Sequence, residues 1–272
     1  MKTKCTVVID NISSGNMKGE WGLSILVEYG DKKILVDVGG SELFAENMSK
    51  LGFDIAEIDY AVLSHAHCDH ANGMERFFKD NQKAKFYLQD GTGEDCYFKK
   101  FFIHKYIGIP KNIMTKYADR IEIVSGDFEL CGGVYLIPHK TANLGEIGKK
   151  EMMYRRTANG WKADDFSHEQ SLVLDTEKGL IIVNSCSHGG AVNIIDEVAA
   201  TFPGKHVYGL IGGFHLYKRS AKEIREIAKA IQEKGVDYIC TGHCTKNRAY
   251  GIMKKVLGDK LHQLKVGLEM NF

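Results

Sequence analysis

Ser64-His65-Ala66-His67-Cys68-Asp69-His70 follows directly on the apolar run Tyr60-Ala61-Val62-Leu63. Three imidazoles and a carboxylate fall within six positions, and packing gives no reason for that crowding. A strand predicted over 60–63 delivers these side chains into a loop at a sheet edge, with a helix predicted from 71 onward. Imidazole nitrogen and carboxylate oxygen are ligands that zinc, iron and manganese accept. Four such groups so close would repel or hydrate one another without a cation between them. The plainer explanation is a surface turn that happens to be rich in histidine.

Outward from this stretch the chain alternates. Strands are predicted over 6–9, 23–29 and 33–38, the last two joined by the turn Gly30-Asp31-Lys32 as a hairpin. A helix over 41–51 follows, with Ser41 as its N-cap. After the histidine run come a helix to 79 and a strand over 85–88. From 91 to 161 the periodicity weakens. Aromatic residues gather around Tyr97, Lys99-Lys100-Phe101-Phe102 and Tyr106, and the segment reads as an insertion or lid over one face. Ordinary packing against the body explains it equally well, as does a contact with a second copy through 97–106.

The last third repeats the theme, with strands predicted over 171–174, 180–183, 206–211 and 238–241 and helices over 191–201, 221–234 and 247–257. Hairpins thus give way to βα units twice over. Two such halves face to face predict an α/β (α+β) chain built as one four-layer αββα sandwich of two mixed sheets, a single domain over 1–272.

Eleven histidines are sorted by position. His188, His215 and His243 each follow a predicted strand, and the ends of parallel neighbours converge on one sheet edge. That convergence groups them with His65, His67, Asp69 and His70. Each alone is equally a hydrogen-bonded loop histidine. His139 and His168 are weaker candidates, while His104, His206 and His262 read as structural or exposed.

Composition narrows the function classes. At 44% hydrophobic the 272 residues can bury a sizeable core. Lys and Arg total 36 against 35 Asp and Glu, so the net charge of +1 speaks against a nucleic-acid or anionic-lipid partner and for a small-molecule substrate. The N-terminal apolar run is too short for a signal peptide, and no stretch approaches the roughly 18 apolar residues of a membrane span. A cytoplasmic protein is expected. Seven cysteines without even spacing fit free thiols better than a disulfide framework. Cys68, Cys186 and Cys244 lie beside histidine motifs.

His65-Ala66-His67-Cys68-Asp69-His70 resembles the HxHxDH signature of the metallo-β-lactamase-fold hydrolases, and Ile34-Leu35-Val36-Asp37-Val38-Gly39 resembles the hydrophobic-Asp-x-Gly turn that precedes it in that superfamily. With His188 and the Thr241-Gly242-His243 turn the likeness spans nearly the whole chain. Asn184-Ser185-Cys186-Ser187-His188, Gly212-Gly213-Phe214-His215-Leu216 and Thr241-Gly242-His243-Cys244-Thr245 are similar to the branch named for 7,8-dihydropterin-6-methyl-4-(β-D-ribofuranosyl)aminobenzene 5′-phosphate synthase.

The resemblance implies a two-metal site holding Zn, Fe or Mn and no organic cofactor. His65 and His67 would hold one ion with a further histidine, and Asp69, His70 and His243 the other. The superfamily's bridging aspartate has no counterpart after the strand ending at Val183, where Ser185-Cys186-Ser187-His188 stands. His188 is the preferred replacement ligand, with Cys186 and His168 behind it.

The implied activity is a metallo-hydrolase, or group transferase, using a metal-activated hydroxide on a small phosphate-bearing or ester substrate, including a pterin or ribosyl phosphate. Asp69 would orient that hydroxide, Asp37 would fix a ligand imidazole, and His215 would protonate a leaving oxygen or bind phosphate. The alternatives are a lactone or thioester hydrolase on the same site, a di-iron redox protein, and a metal-stabilised binding protein.

Overall fold

Alternation along each strand divides the apolar residues between two faces, and the layers follow from that division. In the computed structural model, which describes residues 2–272, one seven-stranded sheet runs in the order Glu269–Asn271, Thr3–Ile9, Ser24–Tyr29, Lys32–Val36, Tyr60–Val62, Lys85–Gln89, Ile121–Val124. The other seven-stranded sheet runs Leu261–Gln263, Tyr238–Thr241, Val207–Gly212, Gly179–Val183, Gln170–Thr176, Val134–Pro138, Phe128–Cys131. Both are mixed. Antiparallel hairpins such as Ser24–Tyr29 with Lys32–Val36 give way to parallel pairs such as Lys32–Val36 with Tyr60–Val62.

Val7, Ile25, Val27, Ile34 and Val36 meet Leu136, Leu172, Leu174, Ile181 and Val183 between the sheets. The alternate residues Val8, Leu26, Leu35 and Ala61 pack on the helices Leu43–Lys50 and Met74–Asp80. Val173, Ile182, Leu210 and Ile239 pack on the helices Ala191–Thr201, Ala221–Glu233 and Lys246–Leu257. The result is a four-layer αββα sandwich, the architecture that the repeated hairpin and βα pattern predicts.

Residues 91–161, expected as an insertion, are divided between layers. Strands Ile121–Val124, Phe128–Cys131 and Val134–Pro138 extend the two main sheets. Cys96–Lys100 and Ile103–Tyr106 join Met153–Thr157 and Gly160–Ala163 in a separate four-stranded sheet. Short strands serving different layers, several of them exposed on one side, leave no single period to read.

Several boundaries differ from the sequence expectation, and two of them lie near the histidine run. The helix expected from 41 runs Leu43–Lys50: Glu42 takes the N-cap place without a side-chain bond, while the Ser41 hydroxyl donates to Glu20 at 2.6 Å and accepts from Leu43 N at 3.1 Å. The helix expected from 71 begins inside the histidine run as the single turn Cys68–Ala71, and Met74–Asp80 is a second helix. Gly73 lies between them, where a Cβ would stand 2.7 Å from the Phe44 ring. Only glycine lets this turn approach the strand end so closely.

Candidate metal centre

The strands Gly179–Val183, Val207–Gly212 and Tyr238–Thr241 are parallel neighbours, so their C-terminal ends release His188, His215 and His243 at one edge of their sheet. Tyr60–Val62 of the facing sheet releases His65 and His67 toward the same place. The ligand atoms of His65, His67 and His188 lie within 4.8 Å of one another. Beside them Asp69 Oδ2 stands 3.6 Å from His70 Nε2 and 3.4 Å from His243 Nε2. Cys186 Sγ is 3.3 Å from His70 Nε2. It clusters in turn with His65 and His70, with His243 and Cys244, and with His188 and His215. The thiol therefore occupies the junction of the two groups.

One carboxylate sets the tautomers. Asp37 accepts from Ser64 N at 2.7 Å, from the Ser64 hydroxyl at 2.7 Å and from the Ser185 hydroxyl. His70 Nδ1 lies 2.8 Å from the same carboxylate and donates to it, so Nε2 is the nitrogen turned toward Asp69 and Cys186. Because the Ser64 hydroxyl hydrogen goes to Asp37, its oxygen accepts from His65 Nδ1 at 2.8 Å. His65 Nε2 is thereby left as a lone pair, so Asp37 orients one imidazole in each group.

Most of the ring nitrogens gathered here are buried and have no protein partner. His65 Nε2, His67 Nε2, His243 Nε2 and both ring nitrogens of His188 and of His215 make no hydrogen bond. Leaving so many polar atoms unsatisfied would cost about 1–3 kcal/mol each, which a cation relieves. Burial, with the neighbouring imidazoles, drives His65 and His188 well below the usual histidine range and His67 down to about 4, so the three are neutral, the form in which imidazole can bind metal. Burial raises Asp69, but His70 and His243 outweigh it and hold the group as carboxylate. The donor set of imidazole, carboxylate and thiol fits divalent metal ions.

The backbone is strained around this edge. Asp37, Ser187, His215 and His243 adopt φ values of 60°, 54°, 48° and 46°, a region costly for residues with a side chain beyond Cβ and common at functional sites.

Of the weaker candidates, His168 falls in a further buried group with His67, Cys96 and Asp164, whose ligand atoms lie within 4.8 Å of one another, but it is bonded within the protein. His168 Nδ1 accepts from Ala66 N at 3.1 Å and Nε2 lies 3.1 Å from Asp164 Oδ2, so the ring braces the His65–His67 loop with both nitrogens committed. His139 is held between Glu169 and Glu197. His104 stacks on Trp161, His262 stacks on Tyr238, and His206 pairs with Asp237 at the surface.

A cavity of about 260 Å³ opens over the cluster, lined by His67, Asp69, Cys186, His188, His215 and His243 below. Trp21, Phe98 and Tyr217 form aromatic walls, and Lys105 brings a cation from the small sheet. Phe98 and Lys105 fall in the aromatic segment that the sequence offers as a lid, but nothing local singles them out there, and Trp21 and Tyr217 carry no pattern. Ser64 and Ser185 stand inside quoted motifs, yet their bond to Asp37 appears only on folding, as does the place of Glu151. Glu151 is buried 2.9 Å from Arg219 and 3.7 Å from His215.

The comparisons with known proteins agree with this geometry. The sequence model of the metallo-beta-lactamase superfamily matches residues 22–148. A crystal structure of a metal-dependent hydrolase of the beta-lactamase superfamily superposes with a TM-score of 0.85 at 29% identity, covering 98% of each chain. The chain belongs to the metallo-β-lactamase superfamily. The 7,8-dihydropterin-6-methyl-4-(beta-D-ribofuranosyl)-aminobenzene-5'-phosphate synthase of Methanocaldococcus jannaschii is 28% identical over 266 residues, covering 92% of this chain and 90% of its own. A diphosphatase of the PhnP family shares the fold, with a TM-score of 0.59 at 14% identity over 99% of this chain and 98% of its own.

As a metallo-β-lactamase superfamily enzyme, the protein is built for divalent metal ions, and the unpartnered nitrogens above fit them. In the turn after the strand Gly179–Val183, Cys186 and His188 stand on either side of the left-handed Ser187 and both belong to the cluster. Among the described residues no helix is long and apolar enough to cross a membrane.

Proposed function

We propose that this enzyme is a metal-dependent hydrolase or group transferase acting on a small phosphate-bearing substrate, with a pterin or ribosyl phosphate as the favoured class. The observation that carries the reading is the set of unpartnered imidazole nitrogens beside Asp69 at the floor of an aromatic cavity. His65, His67 and His188 would hold one ion, and Asp69, His70 and His243 the other, with Cys186 between them. Bound divalent ions supply Lewis acidity and a nucleophile generated from water near neutral pH.

The chain's own residues do the rest. Asp37 fixes His70 directly and His65 through Ser64, so neither ring has to reorient. His215 is placed on the cavity floor, where burial opposes its protonation but Cys244 and Glu151 raise it to about 9. It is thus an acid that can protonate a leaving oxygen. Trp21, Phe98 and Tyr217 offer faces for a flat ring, and Lys105 offers a charge to a phosphate. Among the described residues lining the cavity, Asp69 is the one carboxylate, so an anion meets little repulsion beyond the metal-binding acid. The likeness to the pterin-phosphate synthase supports the same substrate class.

The test is an assay of protein loaded with Zn, Mn or Fe against phosphodiesters, phosphomonoesters and lactones, with Asp69→Asn and His67→Ala in parallel. Metal-dependent turnover of a phosphate ester, abolished in both folded variants, is expected. Turnover unchanged in either metal-loaded variant contradicts the reading.

A further inference from the structure

We infer that Glu169 is a positioning residue for His188, aiming its imidazole at the metal through the main chain; the inference rests on the metal centre proposed above. Glu169 is fully buried at the start of the strand Gln170–Thr176. Its Oε1 accepts from His188 N at 2.9 Å and its Oε2 from Gly189 N at 3.0 Å. Two successive N–H groups of the turn, that of His188 itself and that of Gly189, are therefore bound to one carboxylate.

The other side of that carboxylate is anchored. Glu169 Oε2 pairs with His139 Nε2, and His139 Nδ1 lies 2.9 Å from Glu197 Oε2. Glu197 Oε1 accepts from Lys140 N at 3.0 Å and Thr141 N at 2.9 Å. The chain Glu197–His139–Glu169 thus ties the His188 turn to the helix Ala191–Thr201 and to the residue after the strand Val134–Pro138. Gly189 packs so closely on this chain that a Cβ there would overlap the His139 ring.

His188 needs such a device more than its neighbours do. A metal-binding histidine is ordinarily oriented by a hydrogen bond from its second ring nitrogen. His70 has this from Asp37 and His65 from Ser64. Neither nitrogen of His188 has a partner, and its ring is steadied by stacking on Phe166 at 4.8 Å and 9°. Its direction is consequently set by the backbone, where Ser187 is held at φ 54° with its N–H donating to Asn184 Oδ1 at 2.7 Å. Glu169 does through two main-chain bonds what a carboxylate usually does through the ring.

The experiment is a cobalt(II) titration of metal-free protein, followed by d–d absorbance and calorimetry. It covers the wild type, Glu169→Gln, His188→Ala and the double variant, with folding checked by circular dichroism. Glu169→Gln is expected to weaken one class of cobalt site by about 10–100-fold and to add nothing further in the His188→Ala background. A general structural role would instead add its full effect in both backgrounds. His139→Gln, one link further out, is expected to act in the same direction more weakly, and it serves as the test should Glu169→Gln fail to fold. Unchanged cobalt affinity in a folded variant, or an undiminished effect without His188, overturns the inference while leaving the metal centre standing. A wild type that takes up no cobalt overturns both.

Discussion

Asp37 Oδ2 lies 2.8 Å from His70 Nδ1 and also takes the hydroxyl of Ser64, which in turn accepts from His65. One fully buried carboxylate therefore governs an imidazole in each half of the metal centre. Asp37→Ala strands these donors without water. It is expected to destabilise the metal-free protein by about 3–5 kcal/mol and to weaken metal binding about 10–100-fold. Urea denaturation and metal titration measure the two effects.

Metal removal should be felt by the whole fold, because the unpartnered nitrogens of His65, His67, His188 and His243 come from both sheets. An ion present at a hundred times its dissociation constant adds about 2.7 kcal/mol of stability. The melting temperature is expected to fall in chelator and to recover when zinc or manganese is returned. Identical melting with and without chelator would contradict it.

The buried Glu169–His139–Glu197 chain gives stability a pH signature. Burial opposes protonation of His139, but the two glutamates outweigh it and raise it to about 10. Burial likewise raises Glu169 and Glu197, yet His139 holds both below their ordinary range. The raised histidine contributes fully below its ordinary 6.5 and loses its contribution as pH rises through about 10. The lowered glutamates contribute fully above their ordinary 4.5 and lose their contribution as pH falls through their depressed values. His139→Gln is therefore expected to cost most between those two ordinary values, with the gap to wild type narrowing toward pH 10. Urea midpoints across that range report it, and a gap that widens with pH would contradict the account.

Lys105 and Phe98 reach the cavity from the small sheet, whereas the metal-binding side chains come from the main sheets. On the proposed reading, the phosphate contact of Lys105 is thus carried apart from the metal-binding elements. Lys105→Met is expected to raise KM for a phosphate-bearing substrate about 5–20-fold, the loss of one charge-assisted hydrogen bond, with kcat and metal content near wild type. A fall in kcat at unchanged KM would place Lys105 in the chemistry instead.

Much of this centre is legible before folding because its parts are local. His65 to His70 are contiguous and follow an apolar run, while His188, His215 and His243 each trail a strand pattern, and parallel strands gather their ends. The supporting residues carry no such signal. Ser185 meets Asp37 across 148 residues and Glu169 meets the His188 turn from the far side of a hairpin. His168 sits two residues past Phe166 and looks like a ligand in the sequence, but Asp164 and the Ala66 amide claim its two nitrogens. The layers were readable from hairpins that give way to βα units twice, whereas the small sheet was not, since Cys96–Lys100 pairs with Met153–Thr157 across a stretch that includes three strands of the main sheets.

Elemental analysis of protein purified without added metal, wild type beside His188→Ala, tests the central claim most directly. The account predicts about two equivalents of divalent metal per chain, falling toward one when His188 is removed. A wild type without bound metal, or a content untouched by His188→Ala, would contradict the centre described above.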